Sequence, residues 1–139
     1  MNVGDEKVFS EQREKFAQVA ALIDTATEIV ICAHTNPDGD ALGSGLALAQ
    51  LISQHWEGKH VTNLLADNDP VPRLYRFLPG ADSFVRASAY EGDPDLFIIV
   101  DLSVASRLNQ AQPVLERSAH VAILDHHPST TPFGDVALI

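Results

Sequence analysis

The segment HTNPDGD, residues 34–40, places three side chains that can bind a divalent cation within seven positions: His34, Asp38 and Asp40. Pro37 restricts the backbone and Gly39 is free to adopt a positive φ, so the segment has the composition of a tight turn. Because Asp38 and Asp40 are two positions apart, they can reach different ions. The turn is therefore a candidate metal-binding loop.

Three apolar runs in the sequence are each followed at once by a residue that can bind a cation or move a proton. Where parallel strands form a sheet, their carboxyl ends meet at one edge, and the ligand crevice of such sheets lies there. Carboxylates crowded at that edge resist ionisation unless cations lie among them. The pattern therefore predicts a metal site built from His34 after the first run, Asp101 after the second, and Asp125, His126 and His127 after the third.

The choice of metal follows from the donor types. Numbered from Asn36, the loop has Ala41 where a calcium-binding EF-hand has glycine and Ala47 where it has a bidentate glutamate, so an EF-hand is excluded. Zinc is disfavoured because Cys32 lies inside an apolar run. Carboxylates with a few imidazoles suit manganese, and Mg²⁺ and Co²⁺ are the alternatives.

Alternating apolar runs and amphipathic stretches predict an α/β fold with a largely parallel β-sheet flanked by helices. Ser10 is expected to cap the first helix, with Phe16, Val19 and Ile23 on its buried side. Gly43 and Gly45 are expected to mark a close approach of the second helix to the sheet or to a ligand. The predicted strands are residues 28–33, 60–66, 84–85, 96–100 and 120–124, and the predicted helices are residues 11–25, 41–55, 73–77 and 113–118.

Length and charge limit the class of protein. With 139 residues and 45% hydrophobic composition, the sequence suffices for one domain with an ordinary core. Its net charge of −10 argues against binding duplex DNA. The sequence contains no apolar run long enough to span a membrane and does not begin with a secretory signal, so we expect a cytoplasmic protein. Cys32, the single cysteine, is expected to be buried, and His55, His60 and His120 to lie at the surface or at strand ends.

The motifs resemble those of the DHH phosphoesterases, a family named for the triplet that stands here as Asp125-His126-His127. Residues 34–44, HTNPDGDALGS, are similar to the family's first motif. Asp101-Leu102-Ser103 with Arg107 is similar to the second. The order of the motifs and their positions after strands also agree. Within the family, the chain resembles the bacterial nanoRNases, which hydrolyse short oligoribonucleotides and remove the 3′-phosphate of phosphoadenosine phosphate.

This resemblance implies a Rossmann-like three-layer architecture and a role for each motif residue. Asp101 bridges two manganese ions, Asp125 lies behind the ligands, and His127 faces the substrate phosphate. A water activated by the two ions attacks phosphorus. The remaining ligands are His34 and Asp38 on one ion and Asp40 and His126 on the other, and the phosphate-binding residues are Gly43, Ser44 and Arg107.

Other functions within this superfamily stay open: a cyclic-dinucleotide phosphodiesterase, a single-strand exonuclease, a pyrophosphatase, or a catalytically inactive metal- or nucleotide-binding module. The family pattern continues with a further Asp ligand and a substrate-holding second domain. We therefore expect residues 1–139 to be a DHH domain that is incomplete at its C-terminus and lacks this second domain. The final apolar run is expected to form a strand with an unpaired edge, which favours a homodimer.

Overall fold

The computed structural model describes residues 3–33, 39–66, 71, 73–78, 80–100, 108, 110–124 and 136–138. For residues 3–9, 39–41, 74 and 136–138 it describes the backbone alone. The helices are α1 (Val3–Thr25), α2 (Gly39–His55) and α3 (Gln112–Glu116), with 3-10 turns at Arg73–Tyr75, Ala81–Ser83 and Ala87–Ala89. The strands are β1 (Glu28–Cys32), β2 (His60–Leu65), β3 (Val85–Arg86), β4 (Leu96–Val100), β5 (His120–Leu124) and β6 (Val136–Leu138).

Within the described ranges the strands form one six-stranded sheet in the order β3-β2-β1-β4-β5-β6. Every pair of neighbouring strands is parallel. From β1 the chain builds outward through β2 to β3, then returns to the other side of β1 with β4 and continues to β5 and β6. The direction of winding therefore reverses between β1 and β4, which is the topological switch point of a doubly wound sheet.

Both faces of the sheet are covered, which explains why the central strands β1, after Glu28, and β4 are apolar and buried. Val30, Phe97 and Ile99 face α3 and the segment before it, and they share one buried cluster with Val114. Ile29, Ile31 and Ile98 face the other way and pack with Val19 and Ile23 of α1 and Ile52 of α2. The predicted α/β, three-layer fold is therefore confirmed.

The first helix differs from its prediction at its start. It begins at Val3, so Ser10 lies inside the helix and does not cap it. Asp5 and Glu6, near the new start, carry the negative charge that helix N-termini favour. Phe16 was expected on the buried side, but 59% of it is exposed. Among residues 10–25 of α1, the first buried side chain is that of Val19.

The other element boundaries agree with the predictions to within about two residues. The strands at 96–100 and 120–124 match, and β1 and β2 each end one residue early. The short helix predicted at residues 73–77 is a 3-10 turn, Arg73–Tyr75, and the edge strand predicted at 84–85 is Val85–Arg86. The final apolar run contributes β6 at the far edge of the sheet. No helix among the described residues has the length and hydropathy required to cross a membrane.

Candidate functional site

The carboxyl ends of β1, β4 and β5 lie side by side and at one level. Cys32 of β1 pairs with Ile99, and Ile99 pairs with Ile123 of β5. One position later, Val100 pairs with Leu124. The three strands that precede the predicted motifs are therefore adjacent, and they end in register at the switch point.

All predicted metal ligands except one lie outside the described residues. The exception is Asp40, which is the second residue of α2 and is described by its backbone alone. Among the described side chains, no three His, Cys, Asp or Glu residues cluster closely enough to hold a metal. The set of metal ligands and the two predicted catalytic residues, Asp125 and His127, therefore stay predictions. The predicted residues outside the described part are His34, Asp38, Asp101, Arg107, Asp125, His126 and His127.

The start of α2 alters what Gly43 and Ser44 can contribute. The helix begins at Gly39, two residues earlier than predicted, so Gly43 and Ser44 are its fifth and sixth residues. Only the first four N–H groups of a helix lack partners within it. The backbone N–H groups that can reach a phosphate are therefore those of residues 39–42, and not those of Gly43 and Ser44. Ser44 can instead contribute its exposed hydroxyl, and Gly43 leaves space beside the helix.

Behind the switch point, α2 approaches the sheet closely at Gly45. A Cβ added to Gly45 would lie 2.9 Å from Oδ1 of Asn63 on β2 and 3.7 Å from Ile31 on β1. The expected close approach is thus confirmed for Gly45, whereas no described atom lies within 4 Å of the corresponding point on Gly43. Asn63 is only 6% exposed, and its Oδ1 accepts no hydrogen bond within the described part of the chain. Gly45 and Asn63 also line a cavity of about 10 Å³.

The described surroundings fit a site that holds cations. The last described residues before the motifs are Ala33, Val100 and Leu124, all apolar and at least half-buried. Carboxylates that follow such residues need positive charge nearby to remain ionised. Of the described cationic side chains, Lys59 and Arg117 are held by carbonyl oxygens at the opposite edge of the sheet, and Arg76 and Arg86 lie at this edge on its β2–β3 side. A hard divalent cation with carboxylate and imidazole ligands therefore suits this edge.

A polar cluster at the amino edge of the sheet escaped prediction because its members are far apart in sequence. Nδ1 of His60, at the start of β2, lies 2.9 Å from both carboxylate oxygens of Glu28, at the start of β1. The Tyr90 hydroxyl donates to Glu28 Oε1 at 2.9 Å. Burial, and then this hydrogen bond to Glu28, raises the pKa of Tyr90. The one available signal was Glu28 itself, an acidic residue opening an apolar run.

Asp95 connects two strands at the same amino edge of the sheet. Its Oδ2 accepts hydrogen bonds from the backbone N–H groups of Thr27 and Glu28, each at 2.9 Å. The bond from Glu28, followed by the bond from Thr27, lowers the pKa of Asp95. These contacts connect the start of β1 to the residue before β4, so the role of Asp95 is to hold adjacent strands in register. The placements expected for Cys32, which is buried, and for His55, His60 and His120, which are exposed, are confirmed.

Comparison with known proteins agrees with this topology. The crystal structure of an exopolyphosphatase-related protein from Bacteroides fragilis superposes with a TM-score of 0.78 at 21% sequence identity, over 90% of this chain and 38% of that one. At this level of identity the likeness establishes the fold.

Two curated relatives are similar in sequence. The bifunctional oligoribonuclease and PAP phosphatase NrnA of Bacillus subtilis is 30% identical over 124 residues, which are 89% of this chain and 36% of that protein. The probable enzyme of the same name from Streptococcus mutans is 32% identical over 124 residues, 89% of this chain and 37% of that protein. The chain thus spans little more than a third of the length of these relatives.

The sequence model described as the DHH family, N-terminal domain, matches residues 28–138. The match begins at β1 and ends within β6, and so includes all six strands and every predicted motif. The chain therefore belongs to the DHH family, to which it contributes an N-terminal domain.

Proposed function

We propose that this chain is the metal-binding catalytic domain of a manganese-dependent phosphoesterase that hydrolyses short oligoribonucleotides and removes the 3′-phosphate of phosphoadenosine phosphate. The observation that carries the proposal is the register of β1, β4 and β5, which end side by side at the switch point. In the sequence, each of these strands is followed within two residues by a motif residue. The names of the curated relatives support the choice of substrates.

In this proposal five motif residues are metal ligands, Asp125 orients the ligands, and His127 transfers a proton. His34 and Asp38 would hold one ion, Asp40 and His126 would hold the other, and Asp101 would be a ligand of both. Asp125, next to His126 in sequence, orients the ligands, as residues behind a metal centre generally do. When bound, the two ions supply positive charge to the phosphate and lower the pKa of the attacking water.

The reaction is a hydrolysis at phosphorus. The water oxygen forms a new bond to phosphorus, and the bond from phosphorus to the ribose oxygen breaks. His127 gives a proton to the departing oxygen, which leaves as a ribose hydroxyl. Ser44, Arg107 and the first backbone N–H groups of α2 hold the phosphate oxygens in place. The positive end of the α2 dipole, at Gly39, adds to this stabilisation.

We further propose that a second domain closes on the substrate. The curated relatives are almost three times as long as the matched region, and positioning a substrate against catalytic groups accounts for a large part of enzymatic rate acceleration. Without such a domain and the further Asp ligand of the family pattern, residues 1–139 are expected to show an empty or single-metal site and negligible turnover.

The test is hydrolysis of two substrates by the protein that includes the proposed second domain, prepared free of metal and then supplemented with manganese. We expect a 5′-phosphorylated diadenylate to yield AMP, phosphoadenosine phosphate to yield AMP and inorganic phosphate, and a chelator to stop both reactions. Asp101→Asn is the matched control, because it removes a charge while keeping the shape of the side chain. Absence of turnover with manganese, magnesium and cobalt alike, or undiminished turnover by Asp101→Asn, would overturn the proposal.

A further inference from the structure

A second concave surface lies on the β2–β3 side of the same sheet edge. It is a cleft of about 380 Å³, within the range of roughly 300–1,000 Å³ typical of small-molecule sites. Its lining includes the end of β2 at Leu65, the segments before β3 at Val71, Arg76, Asp82 and Phe84, and the end of β3 at Arg86. No residue predicted from the motifs belongs to it.

The cleft is connected to the candidate metal site through shared residues. Leu65 and Phe84 line both the cleft and the small cavity that Ala33 and Val100 border at the switch point. Leu65 also belongs to a buried cluster with Leu42, in the first turn of α2. The strands β2 and β3 lie one and two positions from β1 in the sheet, and two and three positions from β4. With neighbouring strands about 4.8 Å apart, the cleft lies roughly 5–10 Å from the end of β1 and roughly 10–15 Å from the end of β4. A nucleotide unit attached to the scissile phosphate spans such a distance.

The described lining of the cleft carries more positive than negative charge, in contrast to the chain as a whole. Three of the nine Lys and Arg residues lie within residues 73–86, in a chain with a net charge of −10. Two of them, Arg76 and Arg86, line the cleft against one carboxylate, that of Asp82. Guanidinium groups are well suited to phosphate because their N–H donors match two phosphate oxygens at once.

The two arginines are available to a ligand. Both are exposed, and the side chain of Arg86 makes no hydrogen bond or ion pair with any described residue. Arg76 donates through Nε to the carbonyl oxygen of Val71 at 3.1 Å, which fixes its side chain and leaves its terminal nitrogens without a partner in the described part. Phe84 is half-buried on a base of apolar residues that includes Val71 and Ala81. An aromatic ring beside cationic groups is the combination that binds a stacked base and its phosphate.

We propose that this cleft binds the nucleotide unit next to the scissile phosphate, with Arg76 and Arg86 on its phosphate and Phe84 against its base. The cleft then makes a substrate with a 5′-phosphate on this nucleotide unit a better substrate than one without it. This inference rests on the proposed function, because it assigns a second substrate position to the same sheet edge.

Binding can be measured separately from catalysis. We expect a 5′-phosphorylated diadenylate, titrated into the protein in excess EDTA, to perturb the backbone NMR signals of Phe84 and Arg86. Arg86→Gln should weaken this binding about tenfold, as loss of one charge-assisted contact does. Phe84→Leu, which keeps an apolar side chain, should weaken it at least fivefold. Arg73→Gln is the matched control: it makes the same charge change on an exposed arginine outside the cleft, and binding should change by less than twofold.

Catalysis supplies the second readout. With manganese present, Arg86→Gln should lower the ratio of kcat/KM for the 5′-phosphorylated diadenylate to kcat/KM for the same diadenylate without its 5′-phosphate about tenfold, and Arg73→Gln should leave the ratio unchanged. The cleft assignment is overturned if the wild-type protein does not bind the diadenylate in EDTA, or if Arg86→Gln and Arg73→Gln weaken binding equally. If binding depends on Arg86 but no metal supports hydrolysis, the cleft stands and the proposed function fails. If hydrolysis proceeds but its substrate ratio is unaffected by Arg86→Gln, the proposed function stands and the cleft assignment fails.

Discussion

The side-chain oxygen Oδ1 of Asn63 lies 2.9 Å from the point at which Gly45 would carry a Cβ, so these two residues set how closely α2 lies on β2. The same helix begins at Gly39 and carries Asp40, a predicted metal ligand, in its first turn. The spacing of α2 from the sheet therefore affects both the stability of the fold and the position of the candidate site.

Gly45→Ala is expected to destabilise the protein. The added methyl group requires Asn63 or the helix to shift, and overpacking of this kind costs about 1–3 kcal/mol in free energy of unfolding. Gly43→Ala, two residues earlier in the same helix, meets no described atom within 4 Å and should gain about 0.5–1 kcal/mol through helix propensity. Urea unfolding of both variants measures the difference, and equal stabilisation by the two substitutions would contradict the close approach at Gly45.

Asp95 is expected to make stability depend on pH in the acidic range. Hydrogen bonds from the backbone of Glu28 and Thr27 lower its pKa below the usual value of 3.8 in the folded protein. Because the unfolded chain then takes up a proton more readily, the contribution of Asp95 is present above its unfolded pKa. It is lost as pH falls through the folded pKa.

The measurement is urea unfolding of the wild type and of Asp95→Asn between pH 5 and pH 3. The wild type should lose stability on acidification more steeply than Asp95→Asn, which cannot titrate at this position. Identical pH dependence of the two proteins would show that the carboxylate of Asp95 is not held by the two N–H groups.

Tyr90→Phe is expected to affect stability and not turnover. It removes the hydrogen bond to Glu28 at the amino edge of the sheet, a loss of about 0.5–1.5 kcal/mol. The proposed site lies at the opposite edge, so kcat/KM for the diadenylate should stay within twofold of the wild-type value. A tenfold loss of kcat/KM in a folded Tyr90→Phe protein would place function at the amino edge instead.

The two histidines of the triplet are expected to behave differently. His126→Ala should weaken manganese binding, because His126 is assigned as a ligand. His127→Ala should keep the metal and lower kcat about 100-fold or more, as loss of general acid catalysis does. Metal content by mass spectrometry and steady-state kinetics separate the two effects, and equal loss of metal from both variants would refute the division.

The fold could be predicted because its signals are local. The apolar runs at 96–100 and 120–124 are buried on both faces, so their composition alone identified β4 and β5. The start of α1 could not be predicted from Ser10. The preference of serine for a helix N-terminus is outweighed here by the helix propensity of the preceding segment and by the acidic residues Asp5 and Glu6 near its start. The helix α2 likewise begins two residues before its predicted start and includes Asp40, a negative charge near its N-terminus.

In the candidate site, too, local sequence signals predict some features, and other features arise only from the tertiary structure. The motif residues could be identified because each directly follows a recognisable strand. Neither the Glu28–His60 contact nor the cleft of Arg76 and Arg86 could be foreseen. Glu28 and His60 meet only because β1 and β2 pair in a parallel register, and Arg76 and Arg86 line one cleft only because β3 returns the chain to the edge beside β2.

The most direct test of the central claim is the number of manganese ions bound by the wild-type protein and by Asp101→Ala. Manganese is titrated into the metal-free protein and the bound fraction is followed by electron paramagnetic resonance. Asp101 follows β4 in the sequence, and β4 lies between β1 and β5 in the sheet. For a protein that includes the proposed second domain and the further Asp ligand, the account predicts two ions per wild-type chain, and in a folded Asp101→Ala protein weaker binding of both ions with loss of diadenylate hydrolysis. Two ions bound with unchanged affinity by Asp101→Ala, together with at least half of the wild-type rate, would contradict it.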